Sequence, residues 1–140
     1  MKYSIPYGNS FLDFDTYTNR VLFSGEMTDV PPVTDLRAEL FRSLDAPIAS
    51  EPLAALAKDK KNILFLVEDN TRDTPLTKIL PVVMEYLDAA GVPRSAVSFM
   101  TAPGTHRLMS DKEVREKLGD YIVDNFTVYQ HEASNTDELA

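Results

Sequence analysis

Cysteine is absent from the 140-residue sequence. That excludes disulfides, thiolate catalysis and cysteine-ligated metals together. Missing too is any apolar run approaching the ~20 residues that a membrane span requires. The first twenty residues, MKYSIPYGNSFLDFDTYTNR, hold no apolar core of signal-peptide length. No stripe of basic residues occurs either. Acidic side chains number 22 against 14 lysines and arginines, a formal charge of −8 that suits neither a phosphate backbone nor an anionic membrane. The low hydrophobicity and runaway charge of a disordered chain are lacking as well, because 44% of residues are apolar and 26% charged. No internal repeat or low-complexity segment interrupts the pattern. A single globular domain, 1–140, soluble and cytoplasmic, with no nucleic-acid or membrane partner, is the expectation.

What is present sorts into short strands and helices. Tyrosine, phenylalanine and β-branched residues around Pro6-Tyr7-Gly8-Asn9 predict a hairpin of strands near 2–6 and 10–14, with a further strand at 20–23 before Ser24-Gly25. Pro31-Pro32 breaks the chain. Leu36, Leu40, Phe41 and Leu44 then recur at helical spacing over 33–44, and 51–58 reads as a second short helix with Pro52 in its first turn. From Asn62 to Glu68 runs a short continuous apolar stretch, the signature of a parallel strand buried on both faces. Thr74-Pro75 is a candidate cap and first-turn proline for a helix through Leu76, Ile79, Leu80, Val83 and Leu87, stopped by Gly91 and Pro93. Pro81 either kinks that helix or begins its regular part. Residues 96–101 form the next strand. Ser110-Asp111-Lys112-Glu113 has the pattern of a capping box for a helix closed by Gly119, and 126–130 alternates as a last strand. The fold class is therefore α/β: a parallel, Rossmann-like sheet with a βαβαβ core from residue 62 on, preceded by a short β-hairpin and helices.

Two polar clusters fall just past the carboxyl ends of predicted parallel strands, where open α/β sheets bind ligands. One is Glu68-Asp69-Asn70-Thr71-Arg72 and the other Gly104-Thr105-His106-Arg107. If their strands are neighbours, both loops face one crevice. Asp69, Asn70 and Thr71 offer donors and acceptors close to a helix N-terminus, which favours an anion such as a phosphate. Arg72 carries a planar fork for bidentate recognition of a carboxylate or phosphate. His106 titrates near neutrality and suits general acid–base work. Blander roles stay open beside these. Asp69 to Thr74 can simply cap a helix and fill a solvated loop, and His106 can be a turn residue. His131 reads as a structural histidine, and Glu116, Asp120, Asp124 and the tail Glu132 to Glu138 read as a solvated acidic face. Met84, Met100 and Met109 fit core or loop packing.

These segments resemble a known family. VEDNTRDTP at 67–75 is similar to the strand-end D-x-T-R segment of the nickel-pincer-nucleotide-dependent lactate racemases, and APGTHRLMSDKE at 102–113 to their G-x-H-R segment with its capped helix. Pro6-Tyr7-Gly8, Pro47-Ile48-Ala49-Ser50 and Tyr129-Gln130-His131-Glu132 match in order and spacing, so the resemblance runs along nearly the whole chain. It implies the amino-terminal domain of a racemase or epimerase of 2-hydroxyacids. The cofactor it implies is a nickel-pincer nucleotide, a nickel-bearing pyridinium mononucleotide. Asp69, Asn70, Thr71 and Arg72 would line the cofactor site, Arg72 would also fix the substrate carboxylate, and His106 would be one of two catalytic histidines.

In that family the lysine joined to the cofactor, the nickel-ligating histidine and the second catalytic histidine lie further along. None falls within residues 1–140, and no residue here is assigned to a metal. The isolated chain is accordingly expected to hold no cofactor and to be inactive, with the remaining part of the enzyme as its partner and some self-association through uncovered apolar surface. The alternative is a non-catalytic module that binds a nucleotide or phosphate.

Overall fold

The computed structural model describes residues 2–17, 20–23, 25 and 28–135. The expected acidic tail beyond Asn135, and Ser24 of the Ser24-Gly25 break, lie outside them. The chain forms two compact units, Met1–Pro32 and Val33–Ala140.

In the first unit, strands β1 (Lys2–Tyr7) and β2 (Ser10–Asp15) pair antiparallel. Gly8 opens the two-residue turn at φ 58°, a left-handed conformation that costs glycine nothing. Alternation places Tyr3, Ile5, Leu12 and Phe14 on one face, and Tyr3 stacks on Phe14 at 5.8 Å. Arg20 to Phe23 form no strand. The Arg20 N–H turns back to the Tyr17 carbonyl at 3.0 Å, and Leu22 and Phe23 are exposed.

The second unit opens with α1 (Leu36–Asp45), which starts where Asp35 accepts the Ala38 N–H at 2.9 Å, and continues into α2 (Leu53–Ala57). Its centre is a parallel sheet of β3 (Ile63–Val67), β4 (Val97–Thr101) and β5 (Thr127–Gln130), in that spatial order. Helix α3 (Leu76–Ala89) joins β3 to β4, while α4 (Asp111–Leu118) and α5 (Asp120–Asn125) join β4 to β5. The predicted βαβαβ order is the one observed, with α5 as an addition.

Register explains where the core sits. Phe65 lies opposite Phe99, and Phe99 opposite Val128, along one face. Phe99 is fully buried, stacked on Phe65 at 5.2 Å and edge-on to Phe126 at 5.5 Å. Leu80, Met84 and Leu87 of α3, Leu118 of α4 and Ile122 of α5 complete that layer. Tyr86 of α3 meets Phe41 of α1 edge-on and donates its hydroxyl to Asp45 at 2.7 Å, which anchors the first helix. The opposite face departs from expectation. Leu64 and Leu66 of β3 and Tyr129 of β5 are exposed, Leu66 at 68%, so the edge strands are not buried on both faces as expected.

Pro81 sits inside α3, which runs through it from Leu76 to Ala89. The cost is the bond that a non-proline N–H would have made to the Thr77 carbonyl. Thr74 does not cap this helix. Pro75 holds the cap position, and the Thr74 hydroxyl turns to the Glu68 carboxylate instead. At the far junction Gly119, φ 88° and ψ 155°, ends α4 and starts α5. A Cβ there would only touch the Thr77 side chain, at 3.5 Å, so it is the dihedral rather than the packing on α3 that calls for glycine.

Candidate functional site

Because β3 and β4 are neighbours, the loops leaving their carboxyl ends are neighbours too. The Ala102 N–H donates to the Val67 carbonyl at 2.8 Å, and the His131 N–H to the Thr101 carbonyl at 2.9 Å, so the ladder holds to the last residue before each loop. Beyond it the first loop tightens around Asp69. One carboxylate oxygen accepts the Thr71 hydroxyl at 2.6 Å and the Thr71 N–H at 3.2 Å, and the Arg72 N–H reaches the Asp69 carbonyl at 3.3 Å. The second loop is a turn in which Gly104 takes φ 63° and the His106 N–H closes on the Pro103 carbonyl at 3.1 Å.

The two loops meet through side chains. His106 Nδ1 lies 2.7 Å from the other Asp69 carboxylate oxygen. Asp69 is buried, 4% exposed, while the His106 side chain is 53% exposed. Hydrogen bonds from Thr71 and then from His106 lower the Asp69 carboxyl to about 2, so it is ionised at neutral pH and can only accept. Nδ1 must therefore carry the proton of this contact, and neutral His106 keeps Nε2 as its basic nitrogen. Around it lies a cavity of about 340 Å³, lined by Gly104, Thr105, His106, Leu108, Glu132 and Ser134 among others.

The remaining candidates divide. Asn70 donates to Glu113 at 3.2 Å, and Arg107 forms a forked pair with the same carboxylate, 2.6 Å at its shorter contact. Glu113 also closes the capping box with Ser110, as the S-x-x-E spacing anticipates, and these donors, Arg107 first, hold its carboxyl well below the usual range. Arg72 is exposed, and its guanidinium bonds to no other described residue. Its carbonyl accepts from Lys117 of α4. Asp69, Thr71 and His106 thus form one bonded group, with Asn70 tied to the start of α4 and Arg72 left open on the same loop. Among the described residues no group of three or more His, Cys, Asp or Glu could hold a metal ion, and no helix is long and apolar enough to cross a membrane.

Three contributors escaped the sequence reading. Lys117, not singled out by any motif, is buried, with 7% of its side chain exposed. Glu132 and Ser134 line the cavity with His106, where only an acidic tail was expected. His131, by contrast, is half-buried outside that lining and serves the β4–β5 ladder through its backbone.

The fold and this pairing define a class: a parallel α/β domain with a carboxylate–imidazole pair where its strands end. Residues 7–140 match the family model described as the lactate racemase N-terminal domain, and the chain belongs to that family. It is 29% identical over 138 residues to the lactate racemase of Thermoanaerobacterium thermosaccharolyticum, covering 96% of this chain and 32% of that protein. To the lactate racemase of Lactiplantibacillus plantarum it is 32% identical over 98 residues, 70% of this chain and 23% of the relative. The solved lactate racemase apoprotein from T. thermosaccharolyticum shares the fold with a TM-score of 0.76 at 29% identity, over 98% of this chain and 31% of that one. The chain therefore spans less than a third of the length of the relatives it matches.

Proposed function

We propose that this chain is the amino-terminal part of an enzyme that inverts C2 of a small anionic 2-hydroxyacid. In this reading it supplies one side of the acid–base machinery and the clamp for the substrate carboxylate. The observation that carries the reading is the 2.7 Å contact between ionised Asp69 and His106 Nδ1. It leaves Nε2 basic on a half-exposed ring that lines a cavity large enough for a three-carbon acid. His106 Nε2 takes the proton from the C2 hydroxyl of one stereoisomer and, in the reverse direction, gives it back, while a second histidine from the remainder of the protein would serve the opposite face. Asp69 stabilises the imidazolium in between and keeps the ring from rotating. Arg72, on the adjacent loop and outside the cavity lining, bonds to no described residue and would receive the carboxylate in a forked pair.

The donor set limits what else these residues can do. With no cysteine and no metal-holding cluster among the described residues, Asp69 to Arg72 would touch the organic and anionic parts of a nickel-pincer nucleotide rather than its nickel. Asp69, Asn70 and Thr71 already spend side-chain hydrogen bonds on protein partners, so Arg72 is the residue best placed for such a group. When bound, that cofactor would accept and return hydride at C2. The other residues of the site would come from the remainder of the protein.

The test is racemisation of lactate by the intact protein prepared with the enzymes that make the cofactor. His106→Ala is expected to lower kcat/KM by about a hundredfold or more. Unchanged racemisation by that variant would remove His106 from the role assigned to it.

A further inference from the structure

Arg72 is surrounded in sequence by carboxylates, with Glu68 and Asp69 before it and Asp73 after it. Charges of opposite sign so close in a loop ordinarily find one another, and a guanidinium captured that way is closed to an external anion. Yet the Arg72 guanidinium bonds to no described residue. Asp73 is exposed and bonds to no described residue either, so it does not bear on the question; for the other two carboxylates the reason lies in the bonds they already make. Asp69 is occupied by Thr71 and His106. Glu68 is occupied by the Thr74 hydroxyl and by Lys117, whose Nζ lies 3.0 Å from Oε1.

Lys117 is an unusual residue to find there. A lysine ammonium is costly to bury unless each N–H finds an acceptor. Here Nζ faces three: the Glu68 carboxylate, the Arg72 carbonyl at 2.5 Å and the Thr74 carbonyl at 3.4 Å. All three belong to the loop between β3 and α3. One turn earlier on the same helix, Glu113 holds Asn70 of that loop and Arg107 of the other. Helix α4 thus carries an anionic and a cationic clip, four residues apart, that together fix both site loops. The acid–base pair does not use Lys117.

We propose that Lys117 is a positioning residue that keeps Arg72 open to an anion: it withholds Glu68 from the Arg72 guanidinium and pins the Arg72 carbonyl. A purely structural lysine would support the loop without affecting which partner Arg72 takes. The significance of an open Arg72 rests on the carboxylate role proposed above. The competition between Glu68 and Lys117 does not.

The experiment is side-chain NMR of Arg72 in the full chain, comparing wild type with Lys117→Gln, Lys117→Met, Lys117→Arg and the double variant Glu68→Gln/Lys117→Gln. In the wild type the Arg72 Nε–H exchanges with solvent as an unpaired guanidinium does. Lys117→Gln keeps a donor for the carbonyls but releases Glu68. Arg72 is then expected to pair, with Nε–H exchange slowed by about tenfold and its resonance displaced. Lys117→Met, where it folds, gives the same result. The double variant, with no free carboxylate at 68, and Lys117→Arg, which keeps a cation for it, both return the wild-type signal. An unchanged Arg72 resonance and exchange rate in folded Lys117→Gln would overturn the proposal, and so would failure of the double variant to reverse a change seen in the single one.

Titration with lactate adds a second arm, in which binding weakens by about tenfold in Lys117→Gln and recovers in the double variant. Wild-type chain that does not bind lactate speaks against the carboxylate role of Arg72 in the isolated chain. The NMR comparison still decides the role of Lys117.

Discussion

The Asp69 carboxylate and His106 Nδ1, 37 residues apart in sequence, meet at 2.7 Å across the ends of adjacent strands β3 and β4. Asp69 is buried and His106 half-exposed, so the carboxylate acts from behind and the imidazole faces the cavity region. An ionised partner on one ring nitrogen defines the chemistry of the other.

Replacing Asp69 by Asn tests that link with almost no change in shape. The amide can present its N–H to Nδ1, which favours the tautomer with the proton on Nε2 and removes the base. In the intact, cofactor-loaded protein, kcat for lactate should fall by about a hundredfold or more, with KM changed far less. Steady-state kinetics on the two proteins check this.

Acid stability should carry the same signature. The Asp69 carboxyl falls from an ordinary 3.8 to about 2 on folding, so the unfolded chain binds a proton there more readily than the folded one. Its contribution is complete above the unfolded value and is lost as pH drops through the folded one. Asp69→Asn should therefore flatten the dependence of unfolding free energy on pH between about 4 and 2. Denaturant titrations of both proteins at a series of pH values measure it.

Arg72→Lys separates charge from shape. Lysine keeps the positive charge but cannot form a two-pronged contact with a carboxylate. KM for lactate should rise by about tenfold, and Arg72→Ala should raise it further, while neither changes thermal stability much because the side chain is exposed. A KM unaffected by both substitutions removes Arg72 from carboxylate binding.

Much of this was legible in the sequence. The apolar runs at 62–68 and 96–101 marked two strands because parallel strands need apolar residues at consecutive positions, the alternation at 126–130 marked the third, and Ser110 and Glu113 marked the start of α4 through a local pattern. Helix α5 was missed because six residues hold too few turns to show a period. The exposure of Leu64 and Leu66 was missed because an apolar residue on an uncovered face looks the same in sequence as one in a core. At the site, residue type pointed to His106 and Arg72. The pairing of His106 with Asp69, the diversion of Asn70 to Glu113 and the burial of Lys117 come from strand adjacency and helix docking, which no local pattern encodes.

Gly119 tests the helix junction behind the site. Its dihedrals lie where only glycine is comfortable, although a Cβ would meet Thr77 only at ordinary contact distance. Gly119→Ala should cost about 1–3 kcal/mol of stability, seen as a lower melting temperature by circular dichroism.

The most direct measurement is the imidazole nitrogen NMR spectrum of neutral His106, in the full chain and in Asp69→Asn. A neutral ring protonated on Nδ1 in the wild type, shifting toward the Nε2–H form in the variant, is the predicted result. A wild-type ring protonated on Nε2, or a tautomer indifferent to the loss of the Asp69 charge, would contradict it.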